Sequence, residues 1–128
     1  MAHLSIHLMG SLRVSLDGEP VTGFESNKVR ALLAYLAVEA NRPHSRDSLL
    51  GLLWPDQAER AARRNLAQAL FNLRQAIHDK ADVPFLHVSR EAIQFNPDSD
   101  YWLDVSAFAA HIAASQSHPH DESVAELA

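Results

Sequence analysis

Apolar and polar residues alternate along the N-terminal part of the chain, in HLSIHLMG and again in SLRVSLDGEPV. Such alternation is typical of strands that bury one face. The turn dipeptides Gly10-Ser11 and Asp17-Gly18 separate the runs, and Pro20-Val21 opens a short third strand. The pattern predicts an N-terminal antiparallel β-meander. Its inward positions are Leu4, Ile6, Leu8, Leu12, Val14 and Leu16.

Helical spacing then replaces the alternation. Asn27 is predicted to cap a first helix, and Asn41-Arg42-Pro43 to end it. Ser45 is predicted to cap a shorter second helix, SRDSLLGLLW, which Pro55 cannot continue. The apolar positions of the first helix are Val29, Leu32, Leu33, Leu36 and Ala37, and those of the second are Leu49, Leu50, Leu52 and Leu53.

A longer third helix is predicted from Gln57 or Ala58 to about Asp79, and it contains RAARRNLAQALFNLRQAIH. At about 100° per residue, its apolar side chains fall on one side. This core face consists of Ala62, Leu66, Ala69, Leu70, Leu73 and Ile77. The opposite side is rich in arginines and amides, which also read base edges in DNA. Its members are Arg60, Arg64, Gln68, Phe71, Asn72 and Gln75.

The C-terminal part begins with a predicted hairpin, whose strands are residues 85–88 and 92–95 and whose turn is Ser89-Arg90-Glu91. An acidic linker follows Pro97, and Asp104 is predicted to cap a further helix with Val105, Phe108, Ala109 and Ile112 on its apolar face. Together these elements predict an α+β fold. We expect a winged helix-turn-helix domain over residues 1–97, and a linker with the first helices of a truncated helical domain over 98–128.

Composition and charge narrow the class of protein. The 128 residues are 47% apolar and include no cysteine, which favours a packed core and excludes both disulfides and cysteine-based zinc sites. No apolar run approaches the length of roughly 18 residues that a membrane span needs, and the N-terminus does not resemble a signal peptide. The net charge of −5 is unevenly distributed, since residues 1–90 carry +2 and residues 91–128 carry −7. Residues 27–75 carry +4, and the local field governs phosphate binding.

The order of strands, three helices and a hairpin is accompanied by recognisable motifs: LMGSLRVSLDG, KVRALLAYLA, RDSLLGLLWPD and ARRNLAQALFNLRQAI. Over roughly residues 3–112 the chain resembles the Streptomyces antibiotic regulatory protein family. More broadly, it resembles regulators that join an OmpR/PhoB-type winged helix to a bacterial transcriptional activator domain. YWLDVSAFAAHI is similar to the junction between these domains. Because family members continue for hundreds of residues, we expect this chain to be a fragment.

The resemblance implies that the third helix enters the major groove, with Arg60, Arg64, Asn65, Gln68 and Asn72 as base-reading residues. Phosphate contacts are predicted at Lys28, Arg42, Ser45, Arg46, Arg63, Arg74 and Arg90. The turn between the second and third helices is a candidate contact for RNA polymerase or another partner, through Trp54, Asp56 and Gln57. Trp54 also fits a core position with an exposed edge. Two copies would bind side by side on direct repeats, and we expect a cytoplasmic bacterial regulator.

The alternative is a winged-helix interaction module without direct DNA readout. A DNA reader predicts a continuous positive strip from Arg46 through Arg64 to Arg90. An interaction module predicts that Asp47, Glu59 and Glu91 break this strip, and that Phe71 and Trp54 form an apolar patch. His118 and His120 lie close together but lack a third metal ligand at helical spacing, as do His3 and His7. Motifs of a phosphate-binding loop, a serine hydrolase and a zinc protease are absent from the sequence, so we expect no enzyme, metal or cofactor.

Overall fold

The computed structural model describes residues 2–79, 84–107 and 112. The described residues form three helices and two small sheets, whose apolar residues meet in one core. The helices are α1 (Asn27–Val38), α2 (Arg46–Leu53) and α3 (Glu59–Ala76). The strands are β1 (Leu4–His7), β2 (Arg13–Leu16), β3 (Glu19–Pro20), β4 (His44–Ser45), β5 (Leu86–Val88), β6 (Ala92–Phe95) and β7 (Tyr101–Leu103).

The N-terminal sheet has the order β3-β2-β1-β7. Its first three strands form the predicted antiparallel meander, with Leu4 opposite Leu16 and Ile6 opposite Val14. Leu4 and Ile6 are fully buried, because alternate side chains of a strand point to the same face. The third strand begins one residue earlier than predicted, at Glu19.

A fourth strand of this sheet was predicted to be linker. β7 pairs in parallel with β1, so that Leu4 lies opposite Tyr101 and Ile6 opposite Leu103. Residues 101–103 therefore belong to the sheet of the folded domain. Residues 104–107 form a helical turn, and the remainder of the predicted apolar helix face, apart from Ile112, lies outside the described residues.

The wing is a three-stranded sheet in the order β4-β6-β5. The predicted hairpin is present as β5 and β6, although its first strand begins at Leu86 instead of Phe85. β4 pairs with β6 through His44 and Ile93, directly before α2. The wing is consequently attached to the N-terminus of α2 through the backbone.

Two helix starts show how the sequence defines the elements. Ser45 caps α2 as predicted, since its side chain accepts a hydrogen bond from the backbone N–H of Ser48. α1 is capped by Ser26, whose side chain accepts from Val29 N–H, while Asn27 is already helical. Serine and asparagine are comparable caps. The prediction was therefore one residue too late.

The end of β1 is fixed to the start of the C-terminal segment by a carboxylate. Asp104, predicted as a helix cap, accepts hydrogen bonds from the backbone N–H groups of Leu8 (3.0 Å) and Met9 (2.9 Å). Burial alone would raise the pKa of Asp104. The N–H groups of Leu8, Met9 and Val105, together with the nearby His7 ring, outweigh burial and hold the pKa below its ordinary value.

We expect Asp104→Asn to lower the melting temperature by several degrees near pH 7, because an amide offers one oxygen where the carboxylate offers two. The depressed folded-state pKa makes this contribution present above the unfolded pKa of about 3.9, and it is lost as pH falls through the lower folded value. Thermal melts between about pH 7 and pH 2.5 measure the effect, and the two proteins should converge at the acidic end. Asp98→Asn, at an exposed carboxylate, is the control. A constant difference between Asp104→Asn and the wild type at every pH would contradict this assignment.

Candidate nucleic-acid interface

α3 presents one exposed face along most of its length. Because successive helical residues are turned by about 100°, Arg60, Arg64, Ala67 and Phe71 project within about 60° of one another. All four are exposed, and Phe71 is 58% exposed. The opposite face is held in the core by Ala62, Leu66, Ala69, Leu70 and Leu73. The outward direction of the arginines thus follows from the burial of the apolar face. We call the four residues Arg60, Arg64, Ala67 and Phe71 the α3 stripe.

The two arginines of the α3 stripe carry unneutralised charge. Within residues 2–79 and 84–107, the ion pairs involve neither Arg60 nor Arg64. Gln68 is also exposed, about 80° away from Arg60 around the helix. Arg60, Arg64 and Gln68 therefore retain the exposure that base reading requires, and their role in reading bases stays a prediction.

Arg63 lies beside the α3 stripe and pairs with two acidic neighbours. Its Nη2 is 3.0 Å from Asp47 Oδ1 and 3.0 Å from Glu59 Oε1. The hydrogen bond to Glu59, the charge of Glu59 and that of Asp47 raise the pKa of Arg63 above its ordinary value. Two of the three carboxylates that were expected to break a positive surface are thus bound to one guanidinium, and the third, Glu91, is exposed between β5 and β6. The pairs are solvent-exposed, so a phosphate can compete with them.

The N-terminus of α2 is joined to the turn of the wing. Arg46 N–H donates to the carbonyl of Glu91 (3.0 Å), and the Arg46 guanidinium donates to the carbonyl of Ser89 (Nη2 3.0 Å, Nε 3.3 Å). The Ser89 hydroxyl accepts from the N–H of Ala92 and closes the turn. Arg90 lies in this turn and is exposed. These contacts fix the position of the wing turn relative to α2.

The other predicted phosphate contacts have different surroundings. Arg42 is exposed shortly before β4. Lys28 Nζ donates to the carbonyl of Leu53 at the C-terminus of α2, whereas the wing is attached to the N-terminus of α2. Arg74 Nε lies 3.3 Å from Asp79 Oδ2. Arg42, Ser45, Arg46 and Arg90 therefore share the α2–wing end, whereas Lys28 does not join them.

Asn72 was predicted to be an exposed base-reading residue, and the prediction that it is exposed was wrong. Asn72 is buried, with 6% of its surface exposed. Its Oδ1 accepts from Glu25 N–H (2.9 Å), and its Nδ2 donates to the Gly23 carbonyl (2.9 Å). Asn72 lies about 120° around the helix from Arg60, where the loop before α1 covers α3. The amide holds this loop and does not face solvent.

Two polar groups near the turn between α2 and α3 contact each other. Asn65 Nδ2 donates to Gln57 Oε1, so the Asn65 amide is directed towards the turn and away from the α3 stripe. Asp56 and Gln57 are exposed. Trp54 is buried at 8% exposure, as its alternative reading as a core residue predicts. A partner contact at this turn would thus depend on Asp56 and Gln57 more than on the indole.

Two residues of this region were not singled out from the sequence. Ala67 completes the α3 stripe, and its spacing of seven from Arg60 is a signal that would have found it. Asp79 accepts a hydrogen bond from Phe85 N–H (2.6 Å) in addition to its ion pair with Arg74, and its side chain is fully buried. No local sequence pattern indicates that Asp79 would contact Phe85 and Arg74.

The described residues were expected to hold neither a metal site nor a membrane span. Among residues 2–79, 84–107 and 112, there is no group of three or more histidine, cysteine, aspartate or glutamate side chains that could hold a metal ion. His118 and His120 lie outside the described residues. Within the same ranges, no helix has the length and apolar character needed to cross a membrane.

The domain consists of an N-terminal sheet, three helices of which the third is cationic, and a wing. This arrangement defines a winged helix-turn-helix domain. Residues 24–92 match the protein family described as "Transcriptional regulatory protein, C terminal". This match spans more than half of the chain, and the chain belongs to that family of OmpR/PhoB-type domains. The family is one of DNA-binding domains of transcriptional regulators, which are not enzymes. Both the resemblance and the α+β winged-helix fold predicted from the sequence are confirmed.

Similar proteins agree with this assignment. The transcriptional regulatory protein EmbR of Mycobacterium tuberculosis, and that of Mycobacterium bovis, are 35% identical over 74 residues, which is 58% of this chain and 19% of theirs. The chain thus spans about a fifth of the length of these relatives.

Two solved structures resemble the fold. M. tuberculosis EmbR in complex with a low-affinity phosphopeptide gives a TM-score of 0.73 at 28% identity, over 90% of this chain and 30% of that one. The Klebsiella pneumoniae RstA DNA-binding domain in complex with RstA box gives 0.54 at 28% identity, over 66% of this chain and 83% of that one.

Proposed function

We propose that this chain is the sequence-specific DNA-binding domain of a bacterial transcriptional activator, and that α3 reads the major groove of double-stranded DNA. The observation that carries the proposal is the α3 stripe, where Arg60 and Arg64 project outward without an ion pair in the described part of the chain. An arginine presented in this way can donate two hydrogen bonds to one guanine.

The neighbouring groups fit phosphate positioning. Ser45 and Arg46 begin α2, where the helix dipole favours anions, and Arg90 is exposed in the wing turn. Phosphate contacts of this kind set the register of a protein on DNA and carry little sequence information. The solved complex of the RstA DNA-binding domain with RstA box is a precedent in a relative with the same fold.

The interaction-module alternative requires an apolar patch made of Trp54 and Phe71 and a positive strip interrupted by carboxylates. Trp54 is buried, and Arg63 binds both Asp47 and Glu59. The burial of Trp54 favours DNA reading. The two carboxylates that share Arg63, and the exposed Glu91 in the wing turn, fit the interrupted strip of the alternative. Contact with RNA polymerase through Asp56 and Gln57, and pairing of two copies on direct repeats, remain parts of the proposal that rest on the family resemblance.

Selection of bound sequences from a random double-stranded DNA library tests the proposal. We expect an enriched motif for the wild type, and affinity that falls as salt rises because bound phosphates release counterions. Arg64→Ala should lose preference at one position and bind the selected duplex about tenfold more weakly. Arg13→Ala is the matched control, since Arg13 is an exposed arginine on β2 and should leave the motif unchanged.

Two results would contradict the proposal. Absence of an enriched motif from a folded protein at low salt would favour the interaction module. Equal losses in Arg64→Ala and Arg13→Ala would show that the arginines act only through total charge.

A further inference from the structure

The C-terminal half of the α3 stripe is apolar, although its surroundings are cationic. Phe71 is 58% exposed, and Ala67, one turn earlier, is exposed as well. Arg60 and Arg64 precede them on the same face, and Arg74 follows. An exposed phenylalanine on a face that otherwise presents arginines calls for an apolar group in whatever that face contacts.

Phe71 also borders a groove between α3 and the wing. The groove has a volume of about 630 Å³ and its apolar wall includes Leu70 and Val88. Arg46, Arg74 and Asp79 line it too, and because Arg74 is paired with Asp79, Arg46 provides the net positive charge. A ligand of this groove should accordingly combine negative charge with a small apolar projection.

Among the four bases, only thymine presents an apolar group in the major groove, its C5 methyl. We infer that Phe71, supported by Ala67, is a specificity-determining residue that packs against a thymine methyl group in the DNA bound by α3. This inference rests on the proposed function and deepens it. Arg60 and Arg64 would read the hydrogen-bonding edges of neighbouring base pairs, and Phe71 would add a preference that requires no hydrogen bond.

The size of the patch argues for DNA over a protein partner. A stable protein interface buries more than about 1,000 Å² and is usually centred on several apolar anchors. Here Trp54, the other candidate anchor, is buried, and arginines flank Phe71 on both sides along α3. Continuity with Arg60 and Arg64 places Phe71 on the same surface as the proposed base readers.

Removing the methyl group from DNA isolates this contact. The duplex selected from the random library is synthesised with thymine, and then with deoxyuridine at one thymine position at a time, and its affinity is measured for wild type, Phe71→Ala and Val38→Ala. Val38 is the matched control, because it is an apolar residue 51% exposed on α1. Since both side chains are largely exposed, neither variant should lose the fold.

We expect deoxyuridine to weaken wild-type binding about fourfold at one position, which corresponds to one buried methyl group. Phe71→Ala should bind the thymine and deoxyuridine duplexes equally and lose thymine enrichment at that position, while Val38→Ala should behave as the wild type. Equal binding of both duplexes by the wild type, with the motif otherwise intact, would overturn the inference and leave the proposed function standing. A wild-type preference for thymine that Phe71→Ala retains would overturn it too, and would leave Phe71 free for a protein partner. Failure to select any motif would overturn both proposals.

Discussion

Replacing Asn72 with leucine is expected to lower the free energy of unfolding by about 2 kcal/mol, although leucine has the same branching of side-chain heavy atoms and suits a helix better. The physical reason is the loop before α1. Its Gly23 carbonyl and Glu25 N–H are both hydrogen-bonded to the Asn72 amide at 2.9 Å. Leucine would leave both backbone groups without their partner beside a buried side chain. Urea denaturation followed by circular dichroism measures the change.

Gln75→Leu is the control, since it makes the same chemical change at an exposed amide three residues further along α3. Its free energy of unfolding should stay near that of the wild type. The two roles considered for Asn72 also differ in DNA selection. A loop-holding amide predicts an unchanged motif under conditions where the variant is folded. If Asn72→Leu keeps its stability but selects a different motif, Asn72 reads bases after all.

The error over Asn72 shows where helical periodicity stops being informative. The inward direction of Leu66 and the outward direction of Arg64 follow from the sequence, because they lie at the centres of opposite faces. Asn72 lies between those faces, and its environment depends on a loop that is remote in the chain. An amide is equally suited to bases and to backbone groups, so its chemistry cannot decide between them.

The local elements of the fold were predictable because their signals are local. The cap at Ser45 and the wing turn at Ser89-Arg90-Glu91 both occur where the sequence places them. β7 was missed for the opposite reason. Its partner, β1, is at the other end of the chain, and parallel pairing leaves no turn motif between the strands. The three residues of β7 follow an acidic, proline-containing stretch that has the composition of a linker.

In the candidate site, too, the features that depend on local spacing were predictable, and those that depend on packing between helices were not. Exposure of Arg60, Arg64 and Gln68 could be predicted from spacing alone. The pairing of Arg63 with Asp47 required the packing of α2 on α3, which the sequence does not encode within either helix. Charge counts over residues 27–75 consequently overstate the number of cations available to DNA. Arg60 and Arg64, which form no ion pair with any residue the structure describes, are the better measure of the charge available to DNA.

Within the part of the chain that the structure describes, two aspartate–arginine pairs differ chiefly in the burial of the carboxylate, and they should contribute very differently to stability. Asp79→Ala is expected to lower the free energy of unfolding by about 3 kcal/mol, because the fully buried Asp79 carboxylate satisfies a backbone N–H that alanine would leave without an acceptor. That carboxylate accepts a hydrogen bond from Phe85 N–H as well as the Arg74 ion pair, and thereby connects the C-terminus of α3 to the start of the wing. The free energy of unfolding of Asp79→Asn should lie between those of the wild type and Asp79→Ala, since an amide oxygen can still accept from Phe85 N–H.

Asp47→Ala removes the matched exposed pair with Arg63 and should leave the free energy of unfolding nearly unchanged, because exposed ion pairs are screened by solvent. Arg74→Ala provides the complementary test of the Arg74–Asp79 pair, in which the carboxylate is buried and the Arg74 side chain is 43% exposed. It leaves the Asp79 carboxylate without its cation and should be about as destabilising as Asp79→Ala, whereas a residue that only contacts phosphate would weaken DNA binding and spare stability. Chemical denaturation of the three alanine variants measures these free energies of unfolding. Equal stability of Asp79→Ala and Asp47→Ala would mean that the buried pair does not hold the wing to α3, and Arg74 would then be available to DNA.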